Sequence, residues 1–173
     1  QYARSTGTVR FFEQNTRAYK TIERKGNGTS GYFWVITDSD GNKQYYGTVD
    51  GSSQDAGSVL KNTQGHAVEW KLKKVIDKWG NYMTYEYTSR SYSTTGIDVV
   101  DGSSALILKK ITYPGHGYDT GKYSLEFELK NWTHANYRVD GSISNRLGFP
   151  QADIETLDKL IVKYDGTEIK HYK

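Results

Sequence analysis

The sequence has no cysteine, only two prolines and a single methionine. Without cysteine there can be no disulfide framework, no thiolate zinc site and no cysteine nucleophile. No apolar run approaches the roughly 18 residues that a membrane-spanning helix needs. The net charge is only +3, and a nucleic-acid binder usually carries a denser basic stripe. We therefore expect no membrane span and no nucleic-acid partner.

Aromatic residues and glycine are abundant instead. Aromatics make up 14% of the 173 residues, with 15 tyrosines among them, and there are 18 glycines. So many aromatics argue against disorder, and the length suits one domain. The chain begins at Gln1 without an initiator methionine and ends directly after a strand-like run. We therefore expect residues 1–173 to be a single β-rich fragment of a larger protein.

Alternating and β-branched segments predict strands along almost the whole chain. The alternation changes phase at Lys73-Lys74, which predicts a bulge or a sheet corner within one strand. A helical turn is expected at Ala152–Leu157. Loops are expected at residues 48–66, 89–104 and 140–152. The predicted strands are Thr8–Glu13, Ala18–Arg24, Tyr32–Thr37, Lys43–Gly47, Ala67–Asp77, Tyr82–Thr88, Ala105–Tyr113 (stopped by Pro114-Gly115), Lys122–Leu129, Trp132–Val139, Leu157–Tyr164 and Thr167–Tyr172.

The predicted fold class is therefore all-β: antiparallel sheet of about ten or eleven strands, strongly twisted or sandwich-like. Turns at Gly41, Gly80 and Gly166 should each join antiparallel neighbours, because glycine and asparagine tolerate positive φ. The large apolar residues of the strands are expected to form the core. They are Trp34, Trp70, Tyr85, Leu108, Ile111, Leu125, Phe127, Leu160 and Val162.

Two acidic motifs invite a functional interpretation. Asp38 and Asp40 place oxygen ligands at alternate positions, as a Ca²⁺ loop would, but the spacing of an EF-hand is missing and a plain hairpin turn is favoured. Glu126 and Glu128 form an ExE pair like the catalytic glutamates of ADP-ribosyltransferases, but two glutamates on a solvent-facing strand are far commoner. The four histidines are not spaced along the sequence as the ligands of one metal site would be. They are His66, His116, His134 and His171. The sequence therefore predicts no catalytic residue, no metal site and no cofactor.

The tyrosines and tryptophans leave two interpretations open. They could line a groove in which aromatic faces stack on sugar rings, or they could simply pack a half-buried pleated surface. Packing is favoured on the sequence alone. We interpret a group of lysines in the same region as a solvated strand face; they are Lys71, Lys73, Lys74 and Lys78.

Four segments, in order, carry a resemblance to a known family. They are a hairpin at residues 33–47, a segment with Gly-Asn at 70–87, a strand at 108–113 and closing strands at 146–172. The motif residues are Trp34, Gly41, Tyr46, Gly47, Trp70, Leu72, Asp77, Gly80, Asn81, Tyr85, Tyr87, Ile111, Tyr113, Leu160, Val162 and Tyr164. With these motifs, residues 30–172 resemble the SpvB/TcdB-type region of bacterial toxin-complex B components and related Rhs (YD-repeat) proteins.

The resemblance implies a structural function. In that family, strips of β-sheet wind into a hollow shell that encloses a separate toxic domain, and the enzymatic domain lies elsewhere. The chain is thus expected to be a non-catalytic shell segment of a secreted or surface bacterial protein. Its expected partners are neighbouring β-strips of the full-length protein, with a C-type toxin-complex subunit or the enclosed cargo as further candidates. The alternative is a carbohydrate- or receptor-binding β-module.

Overall fold

The computed structural model describes residues 7–12, 19–92, 103–130 and 140–173, and nearly all of its regular structure is β-strand. The all-β prediction is confirmed. The helical elements in these ranges are one turn of α-helix, α1 (Gly28–Gly31), and one 3-10 turn (Ala56–Ser58). The strands are β1 (Val9–Phe11), β2 (Thr21–Lys25), β3 (Phe33–Thr37), β4 (Lys43–Tyr46), β5 (Val59–Lys61), β6 (Ala67–Trp70), β7 (Leu72–Ile76), β8 (Asn81–Tyr92), β9 (Ser103–His116), β10 (Tyr123–Leu129), β11 (Ser142–Ser144), β12 (Gln151–Asp153), β13 (Leu157–Tyr164) and β14 (Thr167–Tyr172).

One large sheet dominates the architecture. Its main path runs β1-β2-β3-β4-β7-β8-β9-β10-β13-β14, so the strands lie side by side in the order in which the chain makes them. Every pairing along this path is antiparallel. The turns at Gly41, Gly80 and Gly166 join antiparallel neighbours, as predicted.

The predicted strand Ala67–Asp77 is divided between two sheets. Its first part, β6, pairs with β5 in a separate two-stranded ribbon, and its second part, β7, joins the large sheet. The backbone changes sheet at Lys71, whose N–H donates to Ser58 (2.8 Å) and whose carbonyl accepts from Gly47 (3.0 Å). The break was predicted at Lys73-Lys74. The predicted loop at 48–66 also conceals β5, because a three-residue strand carries too little alternation to be recognised.

The central strands β8 and β9 are longer than predicted. Part of the predicted loop at 89–104 belongs to them, and β9 runs through Pro114-Gly115 to His116. The proline is tolerated because the β8–β9 register shifts between Tyr82 and Thr84, which leaves Pro114 at an irregularity rather than in a regular ladder. The prediction that Pro114 ends the strand was wrong.

The helical turn predicted at Ala152–Leu157 is absent, and residues 151–153 form strand β12 instead. This strand pairs with β11 and makes a parallel pairing with the start of β9, between Gln151 and Ser104. Because β10 pairs only with the later part of β9, β12 takes the free position beside its beginning. The predicted strand Trp132–Val139 lies outside the described residues.

The buried residues differ from the predicted core. The apolar side chains that the sheet buries most completely are Tyr32, Phe33, Val35, Val59, Leu60, Leu106, Phe149, Ala152, Ile154 and Ile161. All of the predicted core residues (Trp34, Trp70, Tyr85, Leu108, Ile111, Leu125, Phe127, Leu160 and Val162) are only half-buried. In β3 and β13 the more buried face is the opposite one, because Phe33, Val35 and Ile161 are buried while their neighbours Trp34, Leu160 and Val162 are not. Alternation therefore identified an apolar face in each strand, but it could not show which face the rest of the chain covers.

Candidate functional site

Most of the motif residues lie on one face of the large sheet. The pairings Trp34↔Tyr46, Tyr46↔Leu72 and Tyr85↔Ile111 place these side chains on a common face. The same face continues across the later strands. Its motif residues are Trp34, Tyr46, Leu72, Tyr85, Tyr87, Ile111, Tyr113, Leu160, Val162 and Tyr164. We call this surface the aromatic face.

Among the described residues, the aromatic face is covered most completely near its middle. There Leu60 of the ribbon and Phe149 pack with Leu106 as one buried cluster, and Tyr87 packs against that cluster. The Tyr87 hydroxyl donates to the Leu72 carbonyl (2.7 Å), and burial, followed by the neighbouring tyrosines, raises the pKa of Tyr87 to about 12. Tyr87 therefore remains a neutral hydrogen-bond donor at any physiological pH.

Away from this cluster the tyrosine rings pack against one another across strands. The Tyr123 ring lies 5.9 Å from that of Tyr113 and 4.9 Å from that of Tyr164, in register on three adjacent strands. Tyr123 and Tyr164 keep 41% and 43% of their surface exposed. This end of the aromatic face is thus an open platform of side chains that prefer partial shelter from water.

Two motif residues attach the ribbon to the large sheet. Gly47 has φ +68°, and a Cβ there would lie 2.5 Å from Cδ1 of Trp70 and 2.8 Å from Cγ2 of Val59. Glycine is therefore required for the close approach. The Trp70 indole N–H donates to the carbonyl of Tyr32, and its ring meets Trp34 nearly perpendicularly at 5.8 Å.

The remaining motif residues form turns rather than ligand sites. Asp77 accepts hydrogen bonds from the backbone N–H groups of Trp79 and Asn81 on one carboxylate oxygen and from the Asn81 side chain on the other. Asp38 makes the same bonds to Asp40 and Asn42. In each turn, hydrogen bonding, with that of the asparagine side chain foremost, holds the pKa of the aspartate below its ordinary value. Both oxygens of Asp38 serve the turn, which favours the hairpin over the calcium interpretation.

A third turn of this design escaped the sequence analysis. Asn62 accepts from the N–H groups of Gln64 (3.0 Å) and His66 (2.9 Å), and Gly65 N–H donates to its carbonyl (2.9 Å). The signal was available, because N-x-x-G-H differs from D-x-x-G-N only by exchanges between residues that make such turns.

The opposite face of the sheet carries ion pairs, including those of the ExE motif. Glu126 lies 2.6 Å from Lys163 and 3.6 Å from Lys110, and Glu128 lies 3.5 Å from Lys159. The hydrogen bond from Lys163 is the largest influence on Glu126 and holds its pKa below the ordinary value. A catalytic acid needs the opposite shift. These glutamates are therefore arranged as cross-strand partners of lysines.

Histidines and acids do not converge on a metal centre within the described ranges. His171 pairs with Glu168 at 2.7 Å on the exposed strand β14, while His66 belongs to the third turn and His116 ends β9. His134 lies outside the described residues.

Comparison with solved structures shows the fold. The N-terminal domain of the effector protein SpvB from Salmonella typhimurium superimposes with a TM-score of 0.70 at 15% identity, covering 94% of this chain and 61% of that one. The Photorhabdus luminescens Tc holotoxin pore gives a TM-score of 0.57 at 12% identity, covering 92% of this chain and 10% of that one. This chain therefore spans less than two thirds of the length of either chain.

Comparison of sequences shows the family. No curated protein matches the chain. The family model of the Salmonella virulence plasmid 65kDa B protein, SpvB, matches residues 5–132, which is well over half of the sequence. The chain belongs to the SpvB family.

Proposed function

We propose that this chain is a non-catalytic wall segment of a bacterial toxin-complex protein and helps to enclose a toxic cargo domain. The observation that carries the proposal is the difference between the two faces of the large sheet. One face presents half-exposed aromatic and aliphatic side chains, and the other presents paired charges such as Glu126–Lys163. A sheet with one solvated face and one apolar face that is only partly covered is better suited to the wall of a larger assembly than to a free-standing domain.

The proposal also assigns a direction to the wall. The aromatic face would point toward the enclosed cargo or a further layer of the shell, and the charged face toward water. Neighbouring β-strips of the full-length protein would continue the sheet, a C-type subunit of a toxin complex would be a further partner, and the whole protein would be secreted or displayed on the bacterial surface. Support comes from the family membership and from the likeness in fold to the Tc holotoxin pore.

Site-specific cross-linking tests the enclosing function. The chain has no cysteine, so a single introduced thiol can carry a photoreactive maleimide without side reactions here. Phe127 and Glu128 are neighbours on β10 with opposite orientations, because successive strand residues point to opposite faces. In the full-length protein with its cargo and no other cysteine, we expect Phe127→Cys to cross-link to the cargo and Glu128→Cys not to do so. Cross-links from Glu128→Cys alone, or from neither position, would overturn the proposal.

The absence of catalysis is tested on the ExE pair. Incubating the chain with labelled NAD and either actin or a cell lysate should give no label transfer above background. Glu128→Gln should fold like the parent, because within the described part of the chain Glu128 makes one ion pair, at 3.5 Å on a half-exposed surface, where such pairs contribute little. Transfer that disappears in Glu128→Gln would show that the chain is an enzyme.

A further inference from the structure

A cleft of about 330 Å³ lies where the β2–β3 connection meets the tip of the β5–β6 ribbon. This volume is at the small end of the range for small-molecule sites, about the size of one or two sugar rings. The side chains around it combine large aromatic surfaces with a cation and polar groups. They are Arg24, Thr29, Tyr32, Trp34, Asn62, His66, Ala67, Val68 and Trp70.

The walls of the cleft are held in place by the fold. The perpendicular Trp34 and Trp70 rings come from the large sheet and the ribbon respectively, and the Tyr32 carbonyl ties the two together by accepting from the Trp70 indole and from Gln54 (2.7 Å). The β2–β3 connection beside the two rings is also closely packed, since a Cβ at Gly26 would collide with the Gly31 carbonyl oxygen. The cleft is thus formed before any ligand arrives.

Arg24 brings a positive charge that the described residues do not neutralise. Its guanidinium lies 4.3 Å from the centre of the Tyr32 ring. Its Nε is buried without a hydrogen-bond acceptor, and within the described part of the chain no carboxylate lies within ion-pair distance of it. The adjacent Glu23 faces the other side of the sheet, where it pairs with Arg10 (3.1 Å) and Lys25 (3.5 Å). A guanidinium of this kind matches a carboxylate, which it can bind through two parallel hydrogen bonds.

The other groups narrow the class of ligand. The face of a tryptophan packs well on the C–H surface of a sugar ring, and the cleft has two tryptophans. Asn62 uses its side-chain oxygen for the turn, so its NH₂ group can face a ligand, and the His66 imidazole lies beside it. These donors suit ring hydroxyls. We propose that this cleft binds a carboxylate-bearing sugar, a uronic acid, with the carboxylate on Arg24 and the ring against the tryptophans.

Titration of intrinsic tryptophan fluorescence tests the proposal on the intact chain. Glucuronic acid is the probe, and we expect a saturable change with a Kd on the order of 1 mM, as befits a ligand of this size. Arg24→Gln should weaken binding by about tenfold or more, because it removes a charge-assisted pair. Arg24→Lys should recover part of the affinity. The matched control is Arg10→Gln, which removes an arginine from the adjacent strand on the opposite face and should leave binding unchanged.

Competing ligands show whether the cleft recognises the carboxylate, the sugar ring or both. Acetate supplies the carboxylate alone, methyl glucoside supplies the ring alone, and both should bind much more weakly than glucuronic acid. A short peptide with a free C-terminal carboxylate that binds more tightly than glucuronic acid would overturn the choice of a sugar. Unaltered glucuronic acid binding by a folded Arg24→Gln variant, or no saturable change with the parent chain, would overturn the site itself. Neither outcome affects the wall function, which cross-linking tests separately.

Discussion

Gly47 shows how one residue without a side chain can determine how two sheets meet. Its positive φ and the short approach to Trp70 and Val59 act together, and both disfavour any side chain. The motif residues on the aromatic face contribute apolar surface, whereas Gly47 lacks a side chain and so allows the ribbon to approach the large sheet closely. Family resemblance singled it out in the sequence, and the structure supplies the physical reason.

Gly47→Ala should therefore destabilise the chain strongly. The positive φ costs about 1 kcal/mol for alanine, and the clash with Trp70 and Val59 adds roughly 1–3 kcal/mol. Gly166→Ala is the matched control, since Gly166 has φ +80° and a Cβ added there would meet no atom within 4 Å. Urea denaturation should show the larger loss for Gly47→Ala. Equal losses in the two variants would mean that the ribbon adjusts without cost.

The recurring turn is the clearest device at the level of elements. Asp38 and Asp77 each begin a hairpin turn that ends in Gly-Asn, and Asn62 begins a turn of the same hydrogen-bond pattern. In all three, one side-chain oxygen accepts two backbone N–H groups, so a short polar residue preorganises the hairpin. With aspartate the acceptor is charged, which strengthens those bonds.

This difference predicts a pH dependence. The pKa values of Asp38 and Asp77 are lowered on folding, so their contribution to stability is complete above the ordinary aspartate range of about 4 and is lost as the pH falls through the lower folded values. The parent should therefore lose more Tm than the Asp38→Asn/Asp77→Asn variant between pH 7 and about pH 3. Differential scanning calorimetry at several pH values measures this. Parallel Tm profiles would show that the two carboxylates do not stabilise the turns.

Element boundaries show where sequence reasoning works and where it stops. The hairpins at Gly41, Gly80 and Gly166 were predictable, because turn chemistry and alternation are local. The change of sheet at Lys71 and the passage of β9 through Pro114 depend on which strand lies alongside, and no local pattern carries that information. The same limit applies to the cleft, since Arg24 and His66 are distant in sequence and no local pattern places them together.

At the scale of the whole molecule, burial is concentrated in the middle of the sheet. Strands β8 and β9 are long, have partners on both sides and lie beneath the ribbon cluster. Every residue of β14, at one edge, is exposed. Local opening should therefore cost least at this edge and most at the centre.

Hydrogen–deuterium exchange followed by mass spectrometry should reveal this gradient. We expect peptides from residues 167–172 to exchange first and peptides from residues 104–112 to exchange last, because the latter lose their hydrogen bonds only when the sheet itself opens. Uniform exchange across the two peptides would contradict the gradient and indicate that the sheet opens as one cooperative unit.

The order of strands in the large sheet also bears on how the chain emerges from the ribosome. Each strand of the main path lies beside the strand that precedes it on that path, so its pairing partner has already been synthesised. The β5–β6 pair is made between β4 and β7, and the β11–β12 pair between β10 and β13. Pairing between segments close in sequence closes short loops and favours rapid folding. The sheet can thus grow in the direction of synthesis, from β1 toward β14, with each hairpin added to a completed edge. Such growth keeps the aromatic face of the nascent chain attached to formed structure instead of leaving its tyrosines and tryptophans in a long unfolded segment.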